Sequence, residues 1–280
     1  MIDLINPQLK QDGTMETIFD PAMGTGGFLI TSLRHIMKQA KSKSITVDWN
    51  QIINDGLGGR EAEPDTYQLA VSNMLISSGH IMNNLQKGDS IRDPITTKYD
   101  IILTNPPFGI RGLKYQDFNH ELKNQYLPIK SNNAVSLFLQ AIIYMLKING
   151  RCGVVLPDGK ELFSKTDRIL ITIREYLMKC CDLKEVITLP SGMFSYTPIK
   201  TCVFYFEKKI TESTCLSVDI KLKNNKETKR EYTFCKNHTT KSVKFYEWNH
   251  TENEKEFLTE VPIETIANNV YLSLIHISEP

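Results

Sequence analysis

The sequence predicts an α/β fold in which a mostly parallel sheet is covered by helices on both faces, and three observations predict it. Short apolar runs alternate with helical patterns along most of the chain, the arrangement that yields a parallel sheet. Two unusual turns, one rich in glycine after Asp20 and one with a double proline after Thr104, fall at the ends of such runs. Open α/β sheets bind their ligands beyond the carboxyl ends of the strands. The length, 280 residues and 32.0 kDa, suffices for one large α/β domain with a small appendage.

The first run, Ile18-Phe19-Asp20, stops at Pro21 and leads into Gly24, Gly26 and Gly27. Phe28, Leu29, Leu33, Ile36, Met37 and Ala40 then recur at helical spacing, so the unit is strand, glycine turn, helix. A second strand is expected over Leu57-Gly58-Gly59-Arg60-Glu61, followed by a helix opened by Pro64 with Tyr67, Ala70, Val71, Met74 and Leu75 inward. Ile45-Thr46-Val47, ending at Asp48, is a rival for that second strand. Tyr99 to Thr104 is a further strand, closed by Asn105-Pro106-Pro107. A helix is expected over Asn133–Ile148 with Asn149-Gly150 as its stop. Then come a strand at Val154-Val155-Leu156, a helix over Leu162–Lys179, and two last strands at Val186–Leu189 and Thr201–Phe206. After Lys209 the chain turns polar, with Lys221, Lys223, Lys226, Lys229 and Arg230, which reads as a solvated surface excursion followed by a small tail. The predicted division is a catalytic domain over 1–209 and an extension over 210–273.

Composition excludes several classes. No apolar run reaches the about 18 residues that span a bilayer; the nearest, Ala134 to Leu146, is interrupted by Ser136 and Gln140. The start, with Asp3, Asn6 and Pro7, lacks the features of a signal peptide, so a cytoplasmic protein with no membrane contact is expected. Six cysteines occur without a C-x-x-C pair, which predicts free thiols and no zinc site. The histidines are scattered without H-x-x-x-H spacing, against a metal-dependent hydrolase. A net charge of only +1 is low for a protein that grips DNA by itself, so any such grip is expected to be shared with other chains.

The glycine turn, Asp20-Pro-Ala-Met-Gly-Thr-Gly-Gly-Phe28, places backbone that can approach a ligand closely at the start of a helix. It is not the dinucleotide fingerprint, whose third glycine would fall on Leu29, and no Gly-Lys-Ser/Thr follows as in a P-loop. Glu61, at the end of the second strand, suits the two hydroxyls of a ribose, with Asp48 as its rival. Asp89, expected to precede another strand, suits an adenine amino group. Asn105-Pro106-Pro107-Phe108 is the sharper signal. Two prolines make the turn rigid, the Asn105 side chain and the Pro106 carbonyl offer acceptors, and Phe108 offers a flat face. These suit methylation of an aromatic amine such as adenine N6. Two acceptors on its N–H bonds stabilise the charge that develops there, and a base in a duplex must flip out to be reached.

Taken together, residues 20–28, Gly59-Arg60-Glu61 and Asn105-Pro106-Pro107-Phe108-Gly109 resemble the modification subunit of type I restriction–modification systems, a family of DNA adenine-N6 methyltransferases. The similarity continues through Gly150–Pro157, Leu189–Phe194 and Thr197–Thr201, and more weakly through Ile266–Ser273. The resemblance implies a Rossmann-like S-adenosylmethionine-dependent methyltransferase fold of seven strands, the last antiparallel. It implies S-adenosyl-L-methionine contacts at Asp20, Ala22, Gly24, Thr25, Gly26, Gly27, Glu61 and Asp89, and catalysis by Asn105, Pro106, Pro107 and Phe108, with no metal. It also implies DNA, a specificity subunit and a restriction subunit as partners in a hetero-oligomer. Family members carry a helical N-terminal domain and a Phe-x-Thr-Pro-like motif ahead of the first strand. Met1 to Thr17 contain neither, so a fragment or truncated product is expected, and 274–280 read as a sequencing or cloning scar. Two other functions fit the same residues: methylation of another planar nitrogen, such as a protein glutamine amide, and an inactive assembly scaffold.

Overall fold

The computed structural model describes residues 1–108, 112–118, 120–164, 166–193, 199–223 and 226–268. Gly109, Phe194, Thr197, Pro198 and everything from Asn269 onward, including the end of the last weak similarity and the suspected scar, lie outside the described residues.

The chain opens with a single helical turn, α1 (Ile2–Ile5), and reaches β1 (Ile18–Asp20), which is buried throughout. Helix α2 (Gly27–Lys43) starts at the glycine turn and buries Leu29, Leu33, Ile36 and Ala40 along one stripe; Met37 faces solvent at the edge of that stripe. The rival second strand does not form. Asp48 instead caps a short turn, α3 (Trp49–Gln51), its side chain accepting from Gln51 N at 3.1 Å. The strand is β2 (Leu57–Glu61), and α4 (Pro64–Ser78) follows with Pro64 in its first turn and Ala70 and Met74 buried, while Leu75, expected inward, is exposed.

Three further expectations need correction. Asp89 follows a strand, β3 (Leu85–Lys87), and the next one, β4 (Tyr99–Thr104), begins ten residues later. After a one-turn α5 (Lys123–Tyr126), helix α6 (Ala134–Met145) ends three residues before Ile148 and passes directly into β5 (Leu146–Pro157). Asn149, at φ 63°, and Gly150 are an irregularity within that strand, where its register with β4 shifts. A Cβ on Gly150 would lie 3.1 Å from the carbonyl oxygens of Tyr99 and Asp100, so glycine marks a close approach of two strands there and not a helix stop. The helix expected over Leu162–Lys179 is broken into α7 (Lys160–Phe163) and α8 (Arg168–Cys180). Asp167 caps α8 through Ile169 N and Leu170 N, and Arg174 reaches back to the carbonyls of Leu162 and Ser164 at 2.5 and 3.0 Å.

The strands β6 (Cys181–Thr188) and β7 (Thr201–Lys208) are not the last. A turn α9 (Glu212–Cys215) leads to a hairpin, β8 (Leu216–Lys223) and β9 (Lys226–Phe234), then to β10 (Ser242–Asn249), β11 (Glu254–Pro262) and α10 (Ile263–Asn268). The main sheet has nine strands in the order β11-β10-β6-β7-β5-β4-β1-β2-β3. Seven of them, β6 to β3 in that order, form the expected sheet, with β7 antiparallel to both neighbours. The polar region after Lys209 adds β10, parallel to β6, and β11, antiparallel to β10.

The sheet buries both faces. On one, Ile102, Cys152, Val154, Phe204 and Phe206 pack with α6 and α8; on the other, Ile18, Leu57, Ile101 and Leu103 pack with α1, α2 and α4. Each fully buried Leu, Ile or Phe contributes about 1.5–3 kcal/mol. No helix among the described residues is long and apolar enough to cross a membrane. Because β1, β2, β3 and β4 are parallel, the residues that follow them emerge at one edge.

Close packing behind that edge is testable at Gly59, which pairs with Asp20. A Cβ there would sit 2.7 Å from Met23 Sδ and 3.1 Å from the Asp20 carbonyl oxygen, whereas one on Gly27 would meet nothing within 4 Å. Gly59→Ala is expected to cost about 1–3 kcal/mol by overpacking, and Gly27→Ala to be neutral or mildly stabilising. Urea midpoints check both; equal midpoints would show that the backbone yields freely at Gly59.

Candidate active site

A cleft of about 850 Å³ opens at the carboxyl edge of the sheet, and both unusual turns line it. On the first wall the chain leaves β1 at Asp20, whose Oδ1 accepts from Ala22 N at 3.0 Å and folds the turn over. Met23 N donates to the Arg60 carbonyl at 3.0 Å, and Gly24, at φ 54°, donates to Glu61 Oε2 at 2.9 Å. Gly26, at φ 86°, then starts α2 without a side-chain cap, so the first-turn amides of that helix have no side-chain acceptor. A Cβ on Gly24 or Gly27 would meet nothing within 4 Å, and both residues border the cleft together with Ala22 and Thr25. Gly26 does not; it faces Ala70 and Met74 of α4.

The three acids differ in their settings. Asp20 is 1% exposed, and its acid is pushed up to about 7 by burial, with the Thr104 hydroxyl and the Ala22 amide opposing the rise and the charge of Glu61 adding to it. Glu61, half-buried at the end of β2, is held by two amides, Gly24 N on Oε2 and Glu63 N on Oε1, each at 2.9 Å. Asp89 accepts from Ile91 N at 2.8 Å and lies 3.3 Å from Arg92 Nε. All three carboxylates border the cleft; Asp48 does not.

The second wall is the turn after β4. Asn105 is half-buried, Pro106 buried, Pro107 exposed and Phe108 half-buried, and all four border the cleft. Phe108 packs against the apolar cluster of Val155, Ile187, Leu189 and Val203, which braces its ring from the sheet side. Among the lining residues that sequence reasoning missed are Ser90, Ile91, Arg92, Leu113 and Phe138. Ser90 is pinned twice, its Oγ donating to the Pro21 carbonyl and its own carbonyl accepting from the Tyr126 hydroxyl, each at 2.6 Å. Phe138 shares the helical periodicity of the α6 core, so nothing local distinguishes a lining residue from a packing one. The lining supplied after β1, β2 and β3 is rich in glycine and acids, and that supplied by the β4 turn, Leu113 and α6 is rich in aromatic and apolar groups.

The family model for N-6 DNA methylase matches residues 1–276. The chain is 32% identical over 212 residues to the type I restriction enzyme EcoEI methylase subunit of Escherichia coli, covering 74% of this chain and 40% of that protein. It is 34% identical over 224 residues to the EcoKI methylase subunit of E. coli strain K12, covering 74% and 38%. The chain thus spans about two-fifths of the length of these curated relatives. The crystal structure of the EcoKI M protein superposes with a TM-score of 0.65 at 27% identity, over 89% of this chain and 46% of that one. The type I restriction-modification methyltransferase subunit of Streptococcus thermophilus gives 0.67 at 22%, over 98% and 56%, a likeness of fold. The chain has the α/β methyltransferase fold and belongs to the N-6 DNA methylase family.

Proposed function

We propose that this chain carries the catalytic domain of a type I modification subunit, which uses S-adenosyl-L-methionine to methylate adenine N6 in DNA. The observation that carries the reading is that the glycine turn, Glu61 and the Asn-Pro-Pro-Phe turn border one cleft. Its volume, about 850 Å³, falls in the range of small-molecule sites.

The first wall fits the cofactor. Gly24 and Gly27 leave open space where side chains would stand, and α2 begins with amides that no side chain caps. We assign Asp20, Ala22, Gly24, Thr25 and Gly27 to its amino-acid end, Glu61 to its ribose hydroxyls and Asp89 to its adenine, with Gly26 shaping the turn from behind. When bound, the cofactor supplies an electrophilic methyl group on a sulfonium. The remaining work falls to the chain. The Asn105 side-chain oxygen and the Pro106 carbonyl accept from the two N–H bonds of the target amine, drawing its lone pair out of the ring and stabilising the positive charge that grows on nitrogen. Phe108, braced by its apolar cluster, stacks the flipped base, and the rigid double proline keeps acceptors and stacking face in fixed relation. The net charge of +1 agrees with a division of labour in which a specificity subunit reads the DNA and, with a restriction subunit, completes a cytoplasmic hetero-oligomer.

The two walls are expected to fail separately. Glu61→Ala should weaken S-adenosylmethionine binding roughly ten- to hundredfold, the worth of hydrogen bonds to a charged acceptor. Asn105→Ala should leave that affinity within about twofold while cutting methyl transfer to DNA by about a hundredfold or more. Calorimetric titration and a labelled-methyl assay on the same preparations check this. A parallel loss of cofactor binding in both variants would refute the assignment of the walls, and a folded wild-type chain that binds no cofactor would refute the function.

Asp20 gives a pH dependence. Its acid sits at about 7 in the free chain, so below that pH the group is largely protonated. A cationic ligand favours the carboxylate and must expel the proton to bind. Affinity for S-adenosylmethionine should therefore rise as pH increases from about 6 to about 8 and level off above, with proton release on binding at the acid end. Asp20→Asn should flatten the profile. Titrations in buffers of different ionisation enthalpy measure the released proton; a flat wild-type profile would remove Asp20 from the cofactor site.

A further inference from the structure

The stretch from Tyr115 to Lys130 is held from outside by the β8–β9 hairpin. Residues 112–132 bring Gly112 and Leu113 to the cleft. Behind them lies a small aromatic core of Tyr115, Phe118 and Tyr126, all buried, with the rings of Tyr115 and Phe118 edge-on at 6.4 Å. Asn132 Oδ1 accepts from Tyr115 N at 2.7 Å and closes the base of the loop. Toward the cleft this core is tied to Ser90 through the Tyr126 hydroxyl, and Arg92 lies over the Phe118 ring at 5.6 Å.

On the far side one residue does most of the tying. Arg230, on β9, has a side chain only 6% exposed. Its Nη1 donates to the Tyr115 hydroxyl at 2.9 Å and to the Pro128 carbonyl at 3.0 Å; its Nη2 donates to Asn124 Oδ1 at 3.2 Å and to Glu227 Oε2 at 2.9 Å. The Tyr115 hydroxyl in turn donates to the Leu127 carbonyl at 2.7 Å. One guanidinium therefore joins the outgoing limb at Tyr115 to the returning limb at Asn124 and Pro128. Nearby, Lys130 N donates to the Tyr232 hydroxyl at 2.8 Å. A planar fork with fixed donors suits this job, and a lysine, a point charge on a flexible stem, does not replace it. Lys123 and Lys130 stand close by, with Glu227 as the counter-charge.

We propose that Arg230 is a positioning residue for the target-base side of the cleft: acting through Tyr115, it fixes the limb that carries Gly112 and Leu113 beside the Asn105–Phe108 turn. This rests on the reading that the turn holds the base. Arg230 touches neither wall of the cleft, and the first wall keeps its own ties, Gly24 N to Glu61 and Ser90 Oγ to the Pro21 carbonyl, so loss of Arg230 should loosen the base side and spare the cofactor side.

The test uses the full chain with Arg230→Ala, Arg230→Lys and Tyr115→Phe, the last removing one oxygen while keeping the ring in its core. In all three, hydrogen exchange over residues 112–132 should speed up by about tenfold or more, while the S-adenosylmethionine dissociation constant stays within about twofold. KM for an adenine-containing duplex should rise roughly ten- to hundredfold with KM for the cofactor unchanged, and lysine should not rescue. Faster loop exchange with an unchanged KM for DNA overturns the proposal, as does an equal loss of cofactor affinity, which would mark a general fold role. Unchanged exchange in Tyr115→Phe overturns the route through Tyr115. A wild-type chain that neither binds cofactor nor transfers methyl overturns the underlying function and the proposal with it, a case recognised because the exchange effect persists.

Discussion

The hydrogen bond from the Gly24 amide to the Glu61 carboxylate ties the end of one strand to the end of its neighbour, and the first wall of the cleft depends on it. The turn and Asn84 can pack directly onto β2 because Gly58 and Gly59 stand where a Cβ would strike Asn84, Phe19, Met23 or the Asp20 carbonyl. That closeness lets the Met23 amide reach the Arg60 carbonyl and swings the turn over the strand ends. The same carboxylate holds the Glu63 amide with its other oxygen, so Glu61 is oriented before any ligand arrives. A preoriented acceptor loses little entropy on binding.

The second wall is assembled differently. The Asn-Pro-Pro-Phe turn is rigid by covalent chemistry, but the described residues of the 112–132 stretch have little regular structure and are held by contacts from afar: Ser90 after β3, Gln140 on α6, and Arg230 on a hairpin more than a hundred residues downstream. Gln140 shows the scale of this effort. It is fully buried, and its amide both accepts from the Ile129 amide and donates to the Ile129 carbonyl. The first wall is thus built from turns that follow three neighbouring strands within the first hundred residues, and the second is ordered by contacts from much farther along the chain.

That difference explains what was legible in the sequence. The turn after Asp20, Glu61 and the turn after Thr104 were readable because each signal lies within a few residues of its element. Of the residues expected at the site, Gly26 stands off the cleft, because its positive φ serves the turn and it faces α4, and so does Asp48, the rival of Glu61, which caps a turn instead. The misreadings share a cause. Asn149-Gly150 resembles a helix stop, yet it marks a strand that bulges where carbonyls of β4 approach. Leu162–Lys179 keeps a helical spacing across a break set by Asp167 and by Arg174 reaching back twelve residues. Ser242–Asn249 is a strand near the sheet edge whose residues alternate between burial and exposure, and it follows a stretch too polar to announce it. Arg230 sits in a run of lysines and looks solvated, since only tertiary contact shows that its guanidinium is buried.

Asp20 raises a question that packing alone does not answer. A carboxyl shut away from water with an acid pushed up to about 7 binds a proton more tightly in the fold than in the unfolded chain. Its neutral form therefore costs nothing below the ordinary carboxylate range, and stability declines as pH climbs from about 4 through 7 and the charge must be held without water. An asparagine would still accept from the Ala22 amide and would spare the fold that cost. A carboxylate in that setting suits a site that receives a cation. Its place on the cleft wall, beside amides that no side chain caps and glycines that leave open space, is what the proposed cofactor site would use: a positively charged ligand there would offset the charge of the buried carboxylate.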